Sequence, residues 1–468
     1  MGAFPSFLDR KSAPELTVFG FGLESTTKQP INGSDAPITQ MPLALMSKEI
    51  DPPLAWQPAL APWRQVFLPM PSHITGFPTA SFADRPVDNE QEAQTESQAV
   101  SQLLSVPTLV NGRFAHRGDV DWYSFKAKKD QRIRLELYGD RLGSQMDLDA
   151  TILDQSGKSL TTFPDAGKLT GVPPALALES FDVSAEWKAP AEGLYFLVVR
   201  DLFGNSLAGL DRSYVLSLQP VSPSFRVFVV PEASQKSAGP AIPQAGYAPL
   251  QLFVQREGKF DGAIQVKLDE TQAPSGLSLS DCWIGPGANS TLAVLRATRD
   301  ATTGPRFLKL KAKSQVGEMN VEMPVDVVTP LGHSNAAGRL VNRAALLIGN
   351  KQPAIYHLEN PGSPVMPGTT LRLVLQQKQL EGKLKSDAQV TFPLLPPEFK
   401  SAPVAIKPGE EQIELELNIP AKLLPGKYTI AASVTGTILL PAQDKEKAKE
   451  KPFVVWTNSI VIEVIKPQ

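Results

Sequence analysis

Gly118-Asp119-Val120-Asp121-Trp122-Tyr123-Ser124-Phe125, with its continuation to Leu142, is the stretch whose reading decides the fold. Tyr123, Phe125 and Ala127 fall on one side of a period-two pattern, and Trp122, Ser124 and Lys126 fall on the other. That alternation predicts a strand with one buried face. Lys128-Lys129-Asp130-Gln131 turns the chain. Ile133, Leu135 and Leu137 then alternate with Arg132, Arg134 and Glu136, which predicts a second half-buried strand returning beside the first. Gly118, Asp119 and Asp121 suit a tight entry turn, because aspartate side chains bond nearby backbone N–H groups.

Working outward, Leu142-Gly143-Ser144 precedes Asp147-Leu148-Asp149-Ala150-Thr151-Ile152-Leu153-Asp154 and the turn Gln155-Ser156-Gly157. Trp187-Lys188-Ala189-Pro190-Ala191-Glu192-Gly193-Leu194-Tyr195 leads into Phe196 to Asp201, and Ser213 to Leu218 closes the series. In this order the motifs over about 100–218 resemble the bacterial pre-peptidase C-terminal (PPC) domain, a calcium-associated β-sandwich of secreted proteins. The resemblance implies an exported protein and a jelly-roll-like sandwich. In that family the preceding linker carries a Glu-Pro-Asn-Asp-like calcium motif. Asn89-Glu90-Gln91-Glu92-Ala93-Gln94 stands there in this chain, without the proline and the Asn-Asp pair.

Composition agrees with an all-β chain. Its 468 residues suggest about three domains at ~150 residues each. There are 43 prolines, about 9% against a usual ~5%, and 33 glycines, which favours strands joined by turns. A net charge of −2 argues against nucleic-acid binding, which needs a basic face. Cys282 is the single cysteine, so large cores and not disulfides must hold the fold, and the apolar neighbours Trp283 and Ile284 predict that the thiol is buried. No window approaches the ~20 apolar residues of a membrane helix. Met1 to Ser6 lacks a charged-then-apolar signal peptide, and its match to the myristoylation pattern at Gly2 and Ser6 reads as chance. An extracellular or cell-surface location is therefore implied by the resemblance alone.

Residues 1–88 read as an irregular or truncated immunoglobulin-like β domain, with a strand at Leu16 to Leu23 and a Pro-rich stretch from Pro52 to Pro71. Residues 89–220 form the PPC-like sandwich. After Pro220 two related modules follow, at 221–330 and 331–468. Ile284-Gly285-Pro286-Gly287 precedes the strand Leu292 to Leu295 in the first, and Ile406-Lys407-Pro408-Gly409 precedes the alternating Ile413 to Leu417 in the second. A shared Ile-x-Pro-Gly turn before an alternating strand implies duplication, and strands punctuated by turns about every ten residues imply sandwiches. These modules resemble the immunoglobulin-like domains that accompany PPC domains. Phe453 to Ile465 reads as the last strand, and Lys445 to Lys451 as a solvated hairpin loop whose charges discourage edge pairing.

Candidate chemistry is sparse. His73, His116, His333 and His357 are scattered and lack zinc-site spacing. Gly332-His333-Ser334-Asn335-Ala336 resembles a nucleophile elbow, but no strand-then-helix context surrounds it, so it reads as a linker. Asp119, Asp121, Asp147, Asp149, Asp165 and Asp182 are either turn residues or oxygen donors for a calcium ion, with Asp119, Asp121 and Asp149 the first candidates. Trp122 either packs under a neighbouring loop or offers an aromatic ligand surface. These readings favour a non-catalytic exported or surface protein that binds an extracellular polymer or a surface protein. The alternatives are the accessory part of a secreted peptidase whose catalytic domain lies elsewhere, and a spacer.

Overall fold

The computed structural model describes residues 2–9, 15–20, 27–31, 34–44, 65–67, 78–83, 85–91, 97–144, 146–168, 173, 179–204, 209, 211–230, 240–329, 339–349, 351–396, 399–440 and 449–466. His73, the Gly332–Ala336 stretch, most of the Pro52–Pro71 stretch and residues 445–448 lie outside them. Among the described residues the architecture is all-β: several discrete sheets, some mixed parallel and antiparallel, with short 3-10 turns at Asp140–Leu142 and Glu270–Gln272. The chain divides into two compact units, Met1–Ser222 with His333–Leu340, and Pro223–Gly332 with Val341–Gln468.

In the first unit two five-stranded sheets enclose one core. Val120–Ala127 lies between Gly193–Asp201 (antiparallel) and Gln102–Leu104 (parallel). Arg132–Tyr138 lies between Ser184–Lys188 and Ser213–Pro220, both antiparallel, in the other sheet. The two strands of the deciding stretch are thus not neighbours, contrary to the expected pairing. Lys128–Gln131 carries the chain across the sandwich, held there by reciprocal backbone bonds of Asp130 and Gln131 with Ala189 at 2.9 Å each. Alternation fixes which face of a strand is buried, and that part of the reading holds; it does not fix which strand lies alongside.

Tyr123, Phe125 and Leu197 from one sheet meet Ile133, Leu135 and Leu216 from the other in a single cluster. Trp187 lies edge-on to Phe125 and Tyr195, with ring centroids 5.9 and 4.7 Å away. Burying each such side chain contributes about 1.5–3 kcal/mol, so a core of this size stands without a disulfide. The N-terminal strands form a four-stranded and a three-stranded sheet. They are tied to the sandwich through Phe7, whose N–H and C=O are both bound by the Asn111 side chain at 2.8 and 3.1 Å.

The second unit repeats one strand plan twice. Cys282–Ile284 and Leu310–Val316 flank Ile264–Leu268, and Val404–Ile406 and Ser433–Leu440 flank Ala388–Thr391 in the same order. Met319–Pro324 and Lys449–Trp456 then add to the outer side of the corresponding strand. Both Pro-Gly turns perform one task, leading the chain from that sheet into the facing one, where Ser290–Ala297 pairs with Tyr247–Glu257 and Gln412–Asn418 with Thr370–Leu380. Gly287 and Gly409 take the positive φ this requires, 69° and 93°. Two details differ from the sequence reading. Ala344–Gly349 pairs with Gly304–Leu308 and supplies Ala344, Leu346 and Ile348 to the first module's core. The expected last strand is two, Lys449–Trp456 and Ile460–Val464, because the Asn458 side chain turns inward to bond both backbone groups of Leu358.

The two repeats interlock at Gly285. Tyr428 Oη donates to Leu424 O at 2.7 Å, and its ring fills the space a Cβ on residue 285 would need. Gly285→Ala is therefore expected to destabilise the second unit by about 1–3 kcal/mol through overpacking, read as a lower urea midpoint. An unchanged midpoint would mean that Tyr428 does not occupy this space.

Candidate functional site

Asp121 lies in the same period-two register as Tyr123, Phe125 and Ala127, so the strand that buries those apolar side chains also carries a carboxylate into the interior, with no exposed surface. Tyr214 Oη donates to Asp121 Oδ2 at 2.6 Å, and the Tyr123 and Tyr214 hydroxyls are 2.7 Å apart. Gly112 makes room for this chain, because any Cβ there would overlap the Tyr214 ring. Burial, then the nearby Asp121 charge, pushes both phenols well above their usual range. They stay protonated and act as fixed donors.

The second carboxyl is Glu90. The parallel pairing of Val87–Asn89 with Leu109–Asn111 brings it in, and its Oε2 accepts the Arg113 N–H at 2.6 Å. Burial first, and then the charge of Glu90, hold the Asp121 carboxyl well above the ordinary aspartate range. Asp121 Oδ1 receives no bond from a conventional donor. Asp121 Oδ1 and the Glu90 carboxylate repel unless a proton lies between them, and the raised pKa of Asp121 has that direction.

The remaining aspartates serve separate ends. Asp119 Oδ2 accepts the Ala115 N–H at 2.6 Å and the His116 N–H at 3.4 Å, the predicted turn chemistry. Asp149 receives a two-pronged bond from Arg200, at 3.0 and 2.8 Å. Asp182 sits in a cradle of the Gly139, Asp140 and Arg141 N–H groups and the Arg141 guanidinium. Asp147 lies near Asp165, Asp201 and Asp149, and burial followed by those charges raises its pKa. Asp119, Asp121 and Asp149 therefore do not form one donor set, and no group of three or more His, Cys, Asp or Glu among the described residues is placed to hold a metal. Calcium needs six to eight converging oxygens, and these residues do not fit it. Millimolar calcium or a chelator is expected to leave the thermal midpoint of the first unit unchanged; a rise with calcium of several degrees would restore the metal reading.

Trp122 is half-buried on the outward face of its sheet, directly opposite Val198, which is itself nearly covered. Cys282 is buried, and burial pushes its thiol up to about 12, so it is inert. His116 pairs with Asp119 at 3.5 Å, and burial lowers the pKa of His357. Glu90 and Tyr214 were not among the predicted site residues. Glu90 stands in the acidic stretch before the sandwich, and nothing in its local sequence indicates a partner 31 positions away. No family model matches the chain, and no curated protein matches it. Among the described residues no helix is long and apolar enough to cross a membrane.

Proposed function

We propose that this chain is a non-catalytic binding protein, exported or displayed at a cell surface, built from a jelly-roll-like PPC sandwich and immunoglobulin-like modules. The observation that carries the reading is that the linked carboxyl and phenols of the first unit and the lone thiol are sealed in. Asp121, Tyr123, Tyr214 and Cys282 have no exposed surface and are turned toward other groups of the fold. A catalytic acid, base or nucleophile needs a path to a substrate atom, which these groups lack. What the described strands offer to solvent instead is sheet faces of mixed polar and aromatic character, suited to holding a polymer or a protein. The exported location rests on the resemblance of the motifs over 100–218 to the PPC domain alone.

The test is co-sedimentation of the full chain with insoluble polysaccharides, peptide polymers and cell-envelope preparations, with the supernatant assayed for soluble fragments. Retention without release of fragments is expected. Steady fragment release by the purified chain would overturn the non-catalytic reading, and loss from every matrix would overturn binding.

A further inference from the structure

Two copies of one strand plan in the same unit provide an internal control, since positions that match in register report what the fold itself requires. In the first module Trp283 stands opposite Gln265, Gln265 opposite Lys313, and Lys313 opposite Glu322. Partners directly opposite one another share a face, and the alternate residues Cys282, Ile284, Ile264, Val266 and Ala312 point into the core. The four side chains thus form one row across four strands on the outward face. The matching row of the second module reads Ala405, Gln389, Thr435 and Val454. The fold is satisfied there with no aromatic ring and no charge, so Trp283, Lys313 and Glu322 are not demanded by the architecture.

The first row is also held in place. Asp281 accepts from Trp283 Nε1 and from Gln265 Nε2, both at 3.1 Å, and fixes the indole and the amide side by side. The Lys427 ammonium lies 5.2 Å from the indole centroid, and Lys313 pairs with Glu322 at 2.5 Å. Together with Gln315 and Asn320 the row lines an open groove of about 740 Å³.

We infer that this groove is a binding site for a neutral polysaccharide chain lying along the row. Three properties select that ligand. Neighbouring strands are ~4.8 Å apart, close to the length of one pyranose ring, so successive side chains meet successive sugars. A rigid indole beside amide, ammonium and carboxylate groups supplies an apolar surface and both donors and acceptors, as a ring with axial C–H groups and equatorial hydroxyls requires. Lys313 and Glu322 cancel, leaving no net charge in the row to draw an ionic ligand. The inference rests on the binding function proposed above and assigns it a place and a ligand class.

The experiment uses the full chain in affinity electrophoresis through gels containing soluble β-glucan, mannan, xylan or, as controls, polygalacturonate and gelatin. The variant is Trp283→Ala/Lys313→Thr/Glu322→Val, which installs the second module's residues at matching positions and so keeps a known solution of the fold. A second variant, Gln265→Ala/Asn320→Ala, removes polar groups on the outward face alone. Retardation in at least one neutral polysaccharide, weakened about tenfold or more by each variant, is the expected result. Retardation that both variants retain would overturn this site while leaving polymer binding intact. Retardation by polygalacturonate or gelatin alone would overturn the ligand class, and retardation in no gel would remove the site and count against the broader reading too.

Discussion

Asp182→Ala is expected to cost the first unit about 3–5 kcal/mol, because it breaks a buried charge pair by removing one partner. The carboxylate has no exposed surface. It accepts the Gly139 and Asp140 N–H groups at 2.7 Å each, the Arg141 N–H at 3.2 Å and Arg141 Nε at 2.5 Å. Arg141 is itself buried and lies 4.2 Å over the Tyr138 ring. Alanine would leave three backbone donors and Arg141 Nε without an acceptor, the guanidinium keeping only a long bond from Nη2 to Leu137 O at 3.5 Å, and each orphaned donor costs about 1–3 kcal/mol. Asp182→Asn keeps one acceptor oxygen and loses the charge, so an intermediate loss is expected. Arg141→Ala should cost less than Asp182→Ala, since the three N–H groups still bind the carboxylate. Urea unfolding of the full chain, with the transition of each unit followed separately, measures the series. Equal losses for Asp182→Ala and Arg141→Ala would mean that the ion pair alone matters and the backbone cradle does not.

The legible part of this molecule was what local pattern encodes. The alternation Tyr123, Phe125, Ala127 identified the buried face correctly, and Asp121 in the same register could have been read as an interior carboxylate on that ground alone. The paired Ile-x-Pro-Gly turns announced the repeated plan, because a positive-φ glycine after proline marks the same change of sheet in both copies. Strand neighbours were not legible. Sheet partners here are separated by up to about a hundred positions, as in Asn111 with Val215, and a period-two pattern is indifferent to which strand lies beside it. The same limit hid Glu90, which reaches Asp121 through a three-residue parallel pairing, and hid the row from Trp283 to Glu322, which is assembled from four strands. Asp182 was legible only as an aspartate in a turn-rich stretch; that it closes a turn 42 positions earlier is a tertiary fact.

The pair Glu90 and Asp121 sets a pH dependence whose sign separates a shared proton from a bound cation. Asp121 is raised in the folded state by burial and then by Glu90, so its folded pKa lies above its unfolded one. Such a group contributes stability that is fully present below the unfolded carboxylate range and is lost as pH rises through the folded value. Below that window both states carry the proton; above it the fold must hold two facing carboxylates or go on retaining a proton that the unfolded chain has released. Asp121→Asn removes the repulsion. Its Oδ1 can still accept from Tyr214 Oη, and its Nδ2 offers Glu90 a donor in place of a second carboxylate. The variant is accordingly expected to exceed the parent in stability by about 1–3 kcal/mol at pH 7–8, the cost of an unsatisfied buried group. The advantage should shrink toward zero near pH 4. Glu90→Gln should act in the same direction, and the double variant should gain less than the sum, because either change alone ends the like-charge contact. Denaturant midpoints at a series of pH values, measured both with chelator and with added calcium, test this directly. If Asp121→Asn were instead less stable at pH 8 and no longer responded to added calcium, the carboxylates would be metal ligands, and the interior proton would be wrong.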